Sequence, residues 1–304
     1  MNTEVFYIGN SELQPLRAPC LGRLENVFIK RDDLIHPVVS GNKWRKLKYH
    51  VEAMRAAGKS SLVTFGGAYS NHMVAAACVA ATYRFRSSCF VRGQEILGDM
   101  NHYLRLARLY GMNFIPVERE MYRMDKRDLY ELFCGLDKRS YFVDEGGAGP
   151  LGAKGVAEII DELPFVPDFL YHASATGTTA EGLIMGTAKR SEFVNMMVRS
   201  VAVLKNAEEQ RHKIESAQGS AQRELLEGFE VGGYAKTSPE LMQFVRQFIR
   251  ETGILIDPVY TGKALWALKM DIASGRVSDY DRVVFLHTGG MLGLFSEKMM
   301  GELG

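Results

Sequence analysis

The stretch FLYHASATGTTAEG, residues 169–182, decides the fold class. Its first five residues are largely apolar and predict a buried β-strand, and its last residues predict the start of a helix. The loop between them, residues 174–179, consists of small and hydroxyl-bearing residues. A strand, a small-residue loop and a helix in this order form the building unit of a parallel sheet covered by helices. The stretch therefore predicts an α/β protein.

The same order of elements recurs along the chain. We predict strands at residues 61–65, 88–91, 113–117, 169–173, 195–203 and 283–287, and helices at 73–83, 99–110 and 151–163. Because ligands bind at the carboxyl ends of strands in open α/β sheets, we expect the loops 66–71, 174–179 and 288–293 to open onto one crevice. The charged stretch 205–227 is expected to form a solvated surface helix.

Composition and charge exclude several classes of protein. A chain of 304 residues, 46% hydrophobic and 24% charged, is typical of a soluble globular protein with about two domains. Lys plus Arg number 37 and Asp plus Glu number 36, so the net charge of +1 argues against a nucleic acid or a membrane surface as the partner. Because no secretory signal pattern or bilayer-spanning apolar run is visible, we expect a cytoplasmic protein. The four cysteines lack metal-ligand spacing, so we expect no metal site.

Two lysines in the segment SGNKWRKL, residues 40–47, are candidates for cofactor chemistry. Lys43 and Lys46 are three residues apart, so a helix would place them on one face, and Gly41 allows a ligand to approach the backbone closely. A lysine at such a turn can bind a phosphate or form a Schiff base. From residue types alone the alternative is a pair of solvated surface charges, which is the commoner role of lysine.

Three loops carry candidate ligand-binding groups. In GGAYSN, residues 66–71, Ser70 or Asn71 either caps the following helix and does nothing more, or contributes to a site for a carboxylate. In the loop 174–179, backbone N–H groups and hydroxyls suit a phosphate, although the chain has neither a Walker loop nor a GxGxxG dinucleotide motif. The turn at 257–263 is predicted as a connection that leads into a helix.

Seven short motifs occur in a fixed order along nearly the whole chain. They are KRDD (30–33), GNKWRKL (41–47), SNH (70–72), EGG (145–147), TGTT (176–179), DPVYTGK (257–263) and HTGG (287–290). In that order they resemble the family of D-cysteine desulfhydrases and 1-aminocyclopropane-1-carboxylate (ACC) deaminases, which are tryptophan-synthase-β-like enzymes of fold type II. The resemblance implies an α/β fold with two open, twisted parallel-sheet domains, and pyridoxal 5′-phosphate as the cofactor.

The resemblance also implies which residues bind the cofactor. Lys43 matches the lysine that binds the cofactor as a Schiff base. Asn71 matches the residue that hydrogen-bonds the 3′-oxygen of the cofactor, and Thr261 falls where a side chain faces the pyridine nitrogen. The residues that match the phosphate site are Lys46, Thr176, Gly177, Thr178 and Thr179.

Catalytic and substrate-binding residues follow from the same resemblance. Besides Lys43, the expected catalytic residues are Ser70, Tyr234 and Tyr260. The expected substrate-binding residues are Tyr69, Ser70, Asn71, His72 and Thr288. The family implies a small amino acid as the substrate and a homodimer as the assembly.

Two positions favour D-cysteine as the substrate. ACC deaminases share a Glu at the position of Thr261 and a Leu at the position of Thr288. A carboxylate would keep the pyridine nitrogen protonated better than a neutral hydroxyl does, and so would strengthen the electron sink that cyclopropane opening needs. We therefore expect α,β-elimination of D-cysteine to sulfide, pyruvate and ammonia. This reaction would make the enzyme a lyase, and we also expect hydrolase as a wider label of its class.

Other functions stay open on the sequence. The substrate could instead be ACC or another small D-amino acid, and the chain could bind the cofactor with little catalysis. Tyr69 stands where relatives commonly carry Gln, and Val74 stands where they commonly carry Arg. The predicted domains are a large cofactor-binding domain at 1–45 and 154–304 and a small inserted α/β domain at 46–153.

Overall fold

The computed structural model describes residues 9, 11–22, 25–95, 98–205 and 207–303. Chain contacts divide the molecule into two compact units, of which the first contains His36–Gly155 and the second contains Asn10–Ile35 and Val156–Gly304. The predicted small domain, 46–153, falls inside the first unit, which begins earlier in the chain. The predicted domain boundaries stay a prediction.

Strands and helices alternate along the described chain. The strands are β1 (Leu13–Pro15), β2 (Val27–Lys30), β3 (Ser61–Gly66), β4 (Arg86–Arg92), β5 (Asn113–Val117), β6 (Ser140–Phe142), β7 (Phe169–Ser174), β8 (Met197–Ala202), β9 (Gln222–Leu226) and β10 (Val283–Leu286). The helices are α1 (Asn42–Ala56), α2 (Asn71–Thr82), α3 (His102–Leu109), α4 (Lys126–Cys134), α5 (Pro150–Asp161), α6 (Thr178–Gly186), α7 (Ala207–Ser216), α8 (Pro239–Thr252), α9 (Thr261–Ala273) and α10 (Glu297–Leu303).

A four-stranded parallel sheet forms the core of the first unit. Its strand order is β5-β4-β3-β6. Every residue of β3 is buried, as expected for a parallel strand that is covered on both faces. The rings of Phe65 and Phe90, on neighbouring strands, stack with their centroids 4.8 Å apart. Helix α2 is rich in alanine, so its small side chains let it lie close to the sheet.

A six-stranded sheet forms the core of the second unit. Its order is β1-β2-β10-β7-β8-β9, and β1 is the antiparallel edge while the other pairs are parallel. Successive residues of a strand point to opposite faces, so Phe285 of β10 packs with α8 and α9 while Leu286 packs with α5 and α6. The two faces thus carry separate apolar layers on one sheet.

A buried ionic cluster fixes helix α9 to this sheet. The carboxylate of Asp271, in α9, accepts the hydroxyl proton of Tyr171 from β7 at 2.6 Å and also pairs with Arg199 of β8. Its other oxygen pairs with Arg276 at 3.0 Å. Burial of such a charge is costly unless hydrogen bonds satisfy it, as they do here. The cluster therefore sets the position of α9 along the sheet.

The predicted fold class is confirmed. The strands predicted at 61–65, 88–91, 113–117, 169–173, 195–203 and 283–287 are β3, β4, β5, β7, β8 and β10, and the three predicted helices are α2, α3 and α5. The prediction of a surface helix over 205–227 was wrong in its second half, which contains the edge strand β9. That strand buries Leu226 against the core. No helix of the described residues is both long enough and apolar enough to cross a membrane.

The predicted ligand loops come from two different sheets. The loops 174–179 and 288–293 follow β7 and β10, which are neighbouring parallel strands of the six-stranded sheet. They therefore share one edge of that sheet. The loop 66–71 instead follows β3 of the four-stranded sheet.

Removing the buried carboxylate of α9 is expected to destabilise the second unit strongly. In Asp271→Ala, the guanidinium of Arg199 stays buried with a weaker partner, so the free energy of unfolding should fall by about 3 kcal/mol. Tyr171→Phe, which removes one hydrogen bond, should cost only about 1 kcal/mol. Denaturant unfolding of both variants checks this, and equal losses would contradict the assigned role of Asp271.

Candidate active site

Helix α1 presents the two candidate lysines of the first unit. The helix begins at Asn42 directly after Gly41, whose φ of +64° lies in the left-handed region that favours glycine. Lys43 is half-buried in the first turn, and its Nζ donates to Oδ1 of Asn42 at 3.0 Å. Lys46, one turn later, is buried. A spacing of three residues puts both amines on one side of the helix.

The loop after β3 presents Ser70 at the start of helix α2. The Ser70 Oγ accepts the N–H of Met73 at 3.2 Å, which confirms the capping role. Since the oxygen is the acceptor in this bond, the hydroxyl proton is left to donate elsewhere. The first turn of α2, which begins at Asn71, offers N–H groups that no carbonyl of the helix accepts. Together these donors suit a carboxylate.

His72 lies beneath this loop and is neutral. It is 2% exposed, and its Nε2 is 2.8 Å from Oγ1 of Thr64 in β3. Burial, followed by the ammonium groups of Lys43 and Lys46, holds the pKa of His72 well below its usual value. Its Nδ1 has no hydrogen-bond partner among the described residues. The His72 ring is covered in this structure. Its predicted contact with the substrate stays a prediction.

The EGG motif allows the chain to pass close to these side chains. Gly147 has a φ of +71°, and a Cβ added to it would lie 3.0 Å from Cβ of Lys46 and 3.5 Å from Cε1 of His72. A side chain at this position would displace one of the two. The glycine therefore packs the loop against the lysine helix.

The loop 174–179 of the second unit has the features of a phosphate site. Gly177 has a φ of +78° and directly precedes α6. A Cβ on Gly177 would lie 3.2 Å from carbon atoms of the Lys213 side chain, so the position accepts only glycine without a shift. Thr178 and Thr179, in the first turn of α6, are buried. The Thr176 and Thr178 hydroxyls lie 3.3 Å apart.

Two residues that the sequence did not single out belong to this loop. Ser174 is 1% exposed, and its Oγ lacks a hydrogen-bond partner among the described residues. Lys213 of α7 donates from Nζ to the carbonyl oxygen of Thr176 at 3.1 Å, and the same Nζ pairs with Glu209 at 3.0 Å, so a cation lies beside the loop. A buried orphan hydroxyl, a helix N-terminus and a cation together fit a phosphate group. Lys213 was missed because its charged stretch predicted only a solvated surface.

A buried carboxylate organises the turn before helix α9. Oδ2 of Asp257 accepts the N–H groups of Val259 and Tyr260 at 2.9 and 2.8 Å. Oδ1 accepts both the N–H and the hydroxyl of Thr261 at 2.9 and 2.8 Å. Burial raises the pKa of Asp257, while these hydrogen bonds oppose that rise. The hydroxyl proton of Thr261 is thus donated to Asp257, and the oxygen also accepts the Asp257 N–H at 3.0 Å.

The two predicted active-site tyrosines lie next to each other. The rings of Tyr234 and Tyr260 meet edge to face with their centroids 6.3 Å apart. The loop before Tyr234 is held by Lys263 of α9, whose Nζ donates to the carbonyl oxygens of Glu230 and Gly233 at 2.8 and 3.2 Å. Burial lowers the pKa of Lys263 to about 8. The sequence did not single out this buried lysine.

Thr288 follows β10 and is buried beside a histidine that shapes its turn. Nδ1 of His287 accepts the N–H of Gly289 at 3.2 Å, and Nε2 lies 2.8 Å from the carbonyl oxygen of Leu255. Oδ1 of Asp33 lies 3.9 Å from the same Nδ1. His287, the residue directly after β10, therefore orients the turn that carries Thr288.

Each unit gathers its own subset of the predicted residues. The first unit carries Lys43, Lys46, Tyr69, Ser70, Asn71 and His72, and the second carries Thr176, Gly177, Thr178, Thr179, Tyr234, Tyr260, Thr261 and Thr288. A lysine at a glycine turn, donors for a carboxylate and a cradle for a phosphate define a class of α/β enzyme. It is the class that uses a phosphorylated carbonyl cofactor to process amino acids.

Known proteins agree with this class. The chain matches the family model for pyridoxal-phosphate dependent enzymes over residues 6–289. It is 31% identical to a putative ACC deaminase of Thermotoga maritima, covering 94% of this chain and 96% of the relative. It is 27% identical to the mitochondrial bifunctional D-cysteine desulfhydrase/ACC deaminase of Arabidopsis thaliana, covering 92% and 76%. The crystal structure of an ACC deaminase homologue superposes with a TM-score of 0.83 at 25% identity, covering 98% and 95% of the two chains.

The chain therefore belongs to the family of pyridoxal-phosphate-dependent enzymes. It is an ACC deaminase-like enzyme of fold type II, and its cofactor is pyridoxal 5′-phosphate. The predicted family, fold and cofactor are thereby confirmed. The wider label of hydrolase was wrong, because such an enzyme breaks a substrate bond with the cofactor as electron sink rather than by attack of water on that bond.

Lys213 is expected to contribute to cofactor affinity. Lys213→Met removes the positive charge beside the loop 174–179, and a part-exposed charge-assisted hydrogen bond contributes about 1 kcal/mol. The dissociation constant for pyridoxal 5′-phosphate should rise by roughly threefold to tenfold, measured by titrating the apoprotein. Both cations of helix α7 pair with a glutamate, Lys213 with Glu209 and Arg211 with Glu227, so Arg211→Gln is the matched control. Equal affinities of the Lys213 variant and the control would contradict this role.

The buried amine of Lys263 should make stability rise with pH. Its folded pKa of about 8 lies below the ordinary value of 10.5, so the unfolded chain binds more protons between these pH values. Between about pH 8 and 10, the stability of the wild type relative to Lys263→Met should therefore increase, by up to about 1 kcal/mol per pH unit. Denaturant unfolding across this range tests it, with Lys269→Met of the same helix as control. A falling difference would refute the assignment.

Proposed function

We propose that this enzyme eliminates the β-substituent of D-cysteine and releases sulfide, pyruvate and ammonia. The cofactor, when bound, supplies the electron sink for breaking bonds at the α-carbon. The chain supplies a base, donors for the substrate carboxylate and the groups that hold the cofactor. A small amino acid is the substrate class that these groups suit.

The observation that carries this proposal is the hydroxyl of Thr261. In the proposed role it faces the pyridine nitrogen of the cofactor. Its proton is donated to Asp257, so it would offer that nitrogen a lone pair and no charge of its own. A neutral group supports protonation of the ring less than a carboxylate does. A weaker electron sink suffices for expulsion of a thiolate, which favours D-cysteine over the cyclopropane ring of ACC.

The remaining side chains take distinct roles in this proposal. Lys43 would hold the cofactor in the resting enzyme and, as a free amine, remove the proton from the α-carbon of the substrate. The Ser70 hydroxyl and the first turn of α2 would bind the substrate carboxylate, with Asn71 beside them. The loop 174–179 would hold the phosphate, and Lys46 would add a buried positive charge. Tyr260 and its partner Tyr234 would lie against the cofactor ring.

Deamination of ACC is the second candidate. The relatives of Thermotoga maritima and Pyrococcus abyssi carry that activity in their names, the latter at 30% identity over 89% of this chain. A third candidate is binding of the cofactor with little catalysis. It is motivated by Tyr69 and by Val74, which is wholly buried in α2 and brings no charge to the site. Homodimerisation, a cytoplasmic location and the discontinuous domains at 1–45 with 154–304 and at 46–153 complete the proposal.

Turnover of three amino acids by the wild type and a lysine variant tests the function. Pyruvate should appear rapidly from D-cysteine, and neither pyruvate from L-cysteine nor 2-oxobutanoate from ACC should match it. Lys43→Ala should lower kcat at least about 10³-fold and abolish borohydride-reducible attachment of the cofactor. Lys48→Ala, on the same helix, is the control. Faster turnover of ACC would replace the first candidate by the second, and full activity of Lys43→Ala would refute both.

A further inference from the structure

A cleft of about 980 Å³ lies along one side of helix α8 in the second unit. The opposite side of the helix packs into the core through residues such as Phe244 and Phe248. Glu302 of α10 also lines this cleft, which we call the α8 cleft, and its volume suits a small organic molecule. The lining residues of α8 recur every three or four positions and are Met242, Gln243, Arg246, Gln247, Arg250 and Glu251.

Two arginines of the α8 cleft have guanidinium donors without partners. Arg246 donates from Nη2 to the carbonyl oxygen of Glu302 at 2.9 Å, while its buried Nε has no hydrogen-bond partner among the described residues. Arg250 lies one helical turn later, is exposed, and forms no hydrogen bond or ion pair within the described ranges of the chain. Buried polar groups without partners are rare in folded proteins, so the Nε of Arg246 indicates a place for a bound acceptor.

The carboxylates of the α8 cleft, in contrast, are engaged by other groups. Oε2 of Glu251 accepts the N–H of Cys20 at 2.7 Å. The carboxylate of Glu302 accepts the hydroxyl proton of Thr237 at 3.0 Å and pairs with Lys298 at 3.7 Å. The acceptors of the cleft thus have donors of their own, whereas the two arginines have donors to spare. The cleft therefore favours an anionic ligand.

The chemistry of these donors points to a phosphate group. The planar guanidinium fork matches the oxygens of a phosphate, and two arginines on adjacent turns of a helix carry the two charges that balance a phosphate dianion. Pro239 and Met242 add apolar surface to the same cleft. A phosphate alone fills only a small part of this volume, so a phosphomonoester with a small apolar body fits the cleft better than free phosphate.

The α8 cleft adjoins the turn that carries Tyr260, a proposed active-site residue. Met242, which lines the cleft, packs with Val259 in a buried cluster that Tyr260 also contacts. A Cβ added to Gly262 would lie 2.9 Å from Cγ2 of Val245, so α8 lies directly against the first turn of α9. A ligand that packs on Met242 therefore contacts the support of Tyr260.

We propose that the α8 cleft is an effector site that binds a phosphate group through Arg246 and Arg250. The cleft shares no residue with the loop 174–179, which is the proposed site of the cofactor phosphate in the same unit. Through Met242, the bound ligand would change the position or the mobility of Tyr260 and so the rate of the reaction. The binding stands on the geometry of the cleft alone. The effect on the rate rests on the proposed function, which puts Tyr260 against the cofactor ring.

Calorimetry on the holoenzyme, freed of excess cofactor, tests the binding with inorganic phosphate and with phenyl phosphate as probes. Arg250→Gln should weaken the binding of both probes at least about tenfold, because one of the two guanidinium groups is lost. Arg246→Lys, which keeps the charge but loses the fork, should weaken it at least about threefold. Arg282→Gln, which removes an exposed arginine of the second unit outside the cleft, is the matched control. Equal affinities of Arg250→Gln and Arg282→Gln would overturn the proposal.

Two comparisons identify the ligand and its place. Tighter binding of phenyl phosphate than of inorganic phosphate assigns a phosphomonoester, and equal affinities assign free phosphate; both outcomes support the phosphate site when the binding depends on Arg250. Loss of binding in Lys213→Met but not in Arg250→Gln would place the phosphate in the loop 174–179 and overturn the proposal. Absence of binding by both probes would overturn it as well.

Turnover of the preferred amino acid with and without phenyl phosphate tests the effect on the rate. The ligand should change kcat/KM of the wild type at least about twofold and leave that of Arg250→Gln unchanged. If no amino acid is turned over but binding still depends on Arg250, the proposed function fails and the phosphate site stands. If turnover is present and phenyl phosphate does not change it, the effector role fails and the proposed function stands.

Discussion

A buried carboxylate fixes each end of helix α9, and the candidate site residues of the second unit depend on these two carboxylates for their positions. At its start, Asp257 collects three backbone N–H groups and one hydroxyl, which determines where Tyr260 and Thr261 lie. Near its end, Asp271 joins the helix to β7 and β8 through Tyr171 and Arg199. The helix cannot shift along the sheet without breaking hydrogen bonds to a buried charge. A site that must hold a rigid ring gains from such a fixed support.

The same helix also positions residues outside its own sequence. Lys263, two residues after Thr261, reaches the carbonyl oxygens of Glu230 and Gly233 and so fixes the loop before Tyr234. The edge-to-face contact of Tyr234 with Tyr260 then completes a chain of contacts from one helix to two loops. Buried charges that satisfy backbone groups, rather than apolar contacts alone, therefore shape this part of the site.

The sequence predicted most of the interior strands, though not β2, and among the edge strands it predicted only β5. Strands such as β3 and β7 are buried on both faces and appear as continuous apolar runs, whereas β6 and β9 are short edges whose pairing depends on residues far along the chain. The motifs likewise indicated Lys43, Ser70 and the loop 174–179 but not their partners. Lys213 contacts Thr176 from 37 residues away, and no local pattern records such a contact.

In the proposed function, recognition of the cofactor phosphate and binding of the substrate would fall on different elements of the chain. The phosphate cradle and the turn of Asp257 belong to the second unit, while Tyr69 and the Ser70 cap belong to a loop that follows β3 in the first. The cap at Ser70 accepts a backbone N–H, so the side chain at position 69 can change without disturbing the helix that follows. Changes in the loop 66–71 can therefore alter the proposed substrate site without altering the proposed phosphate cradle.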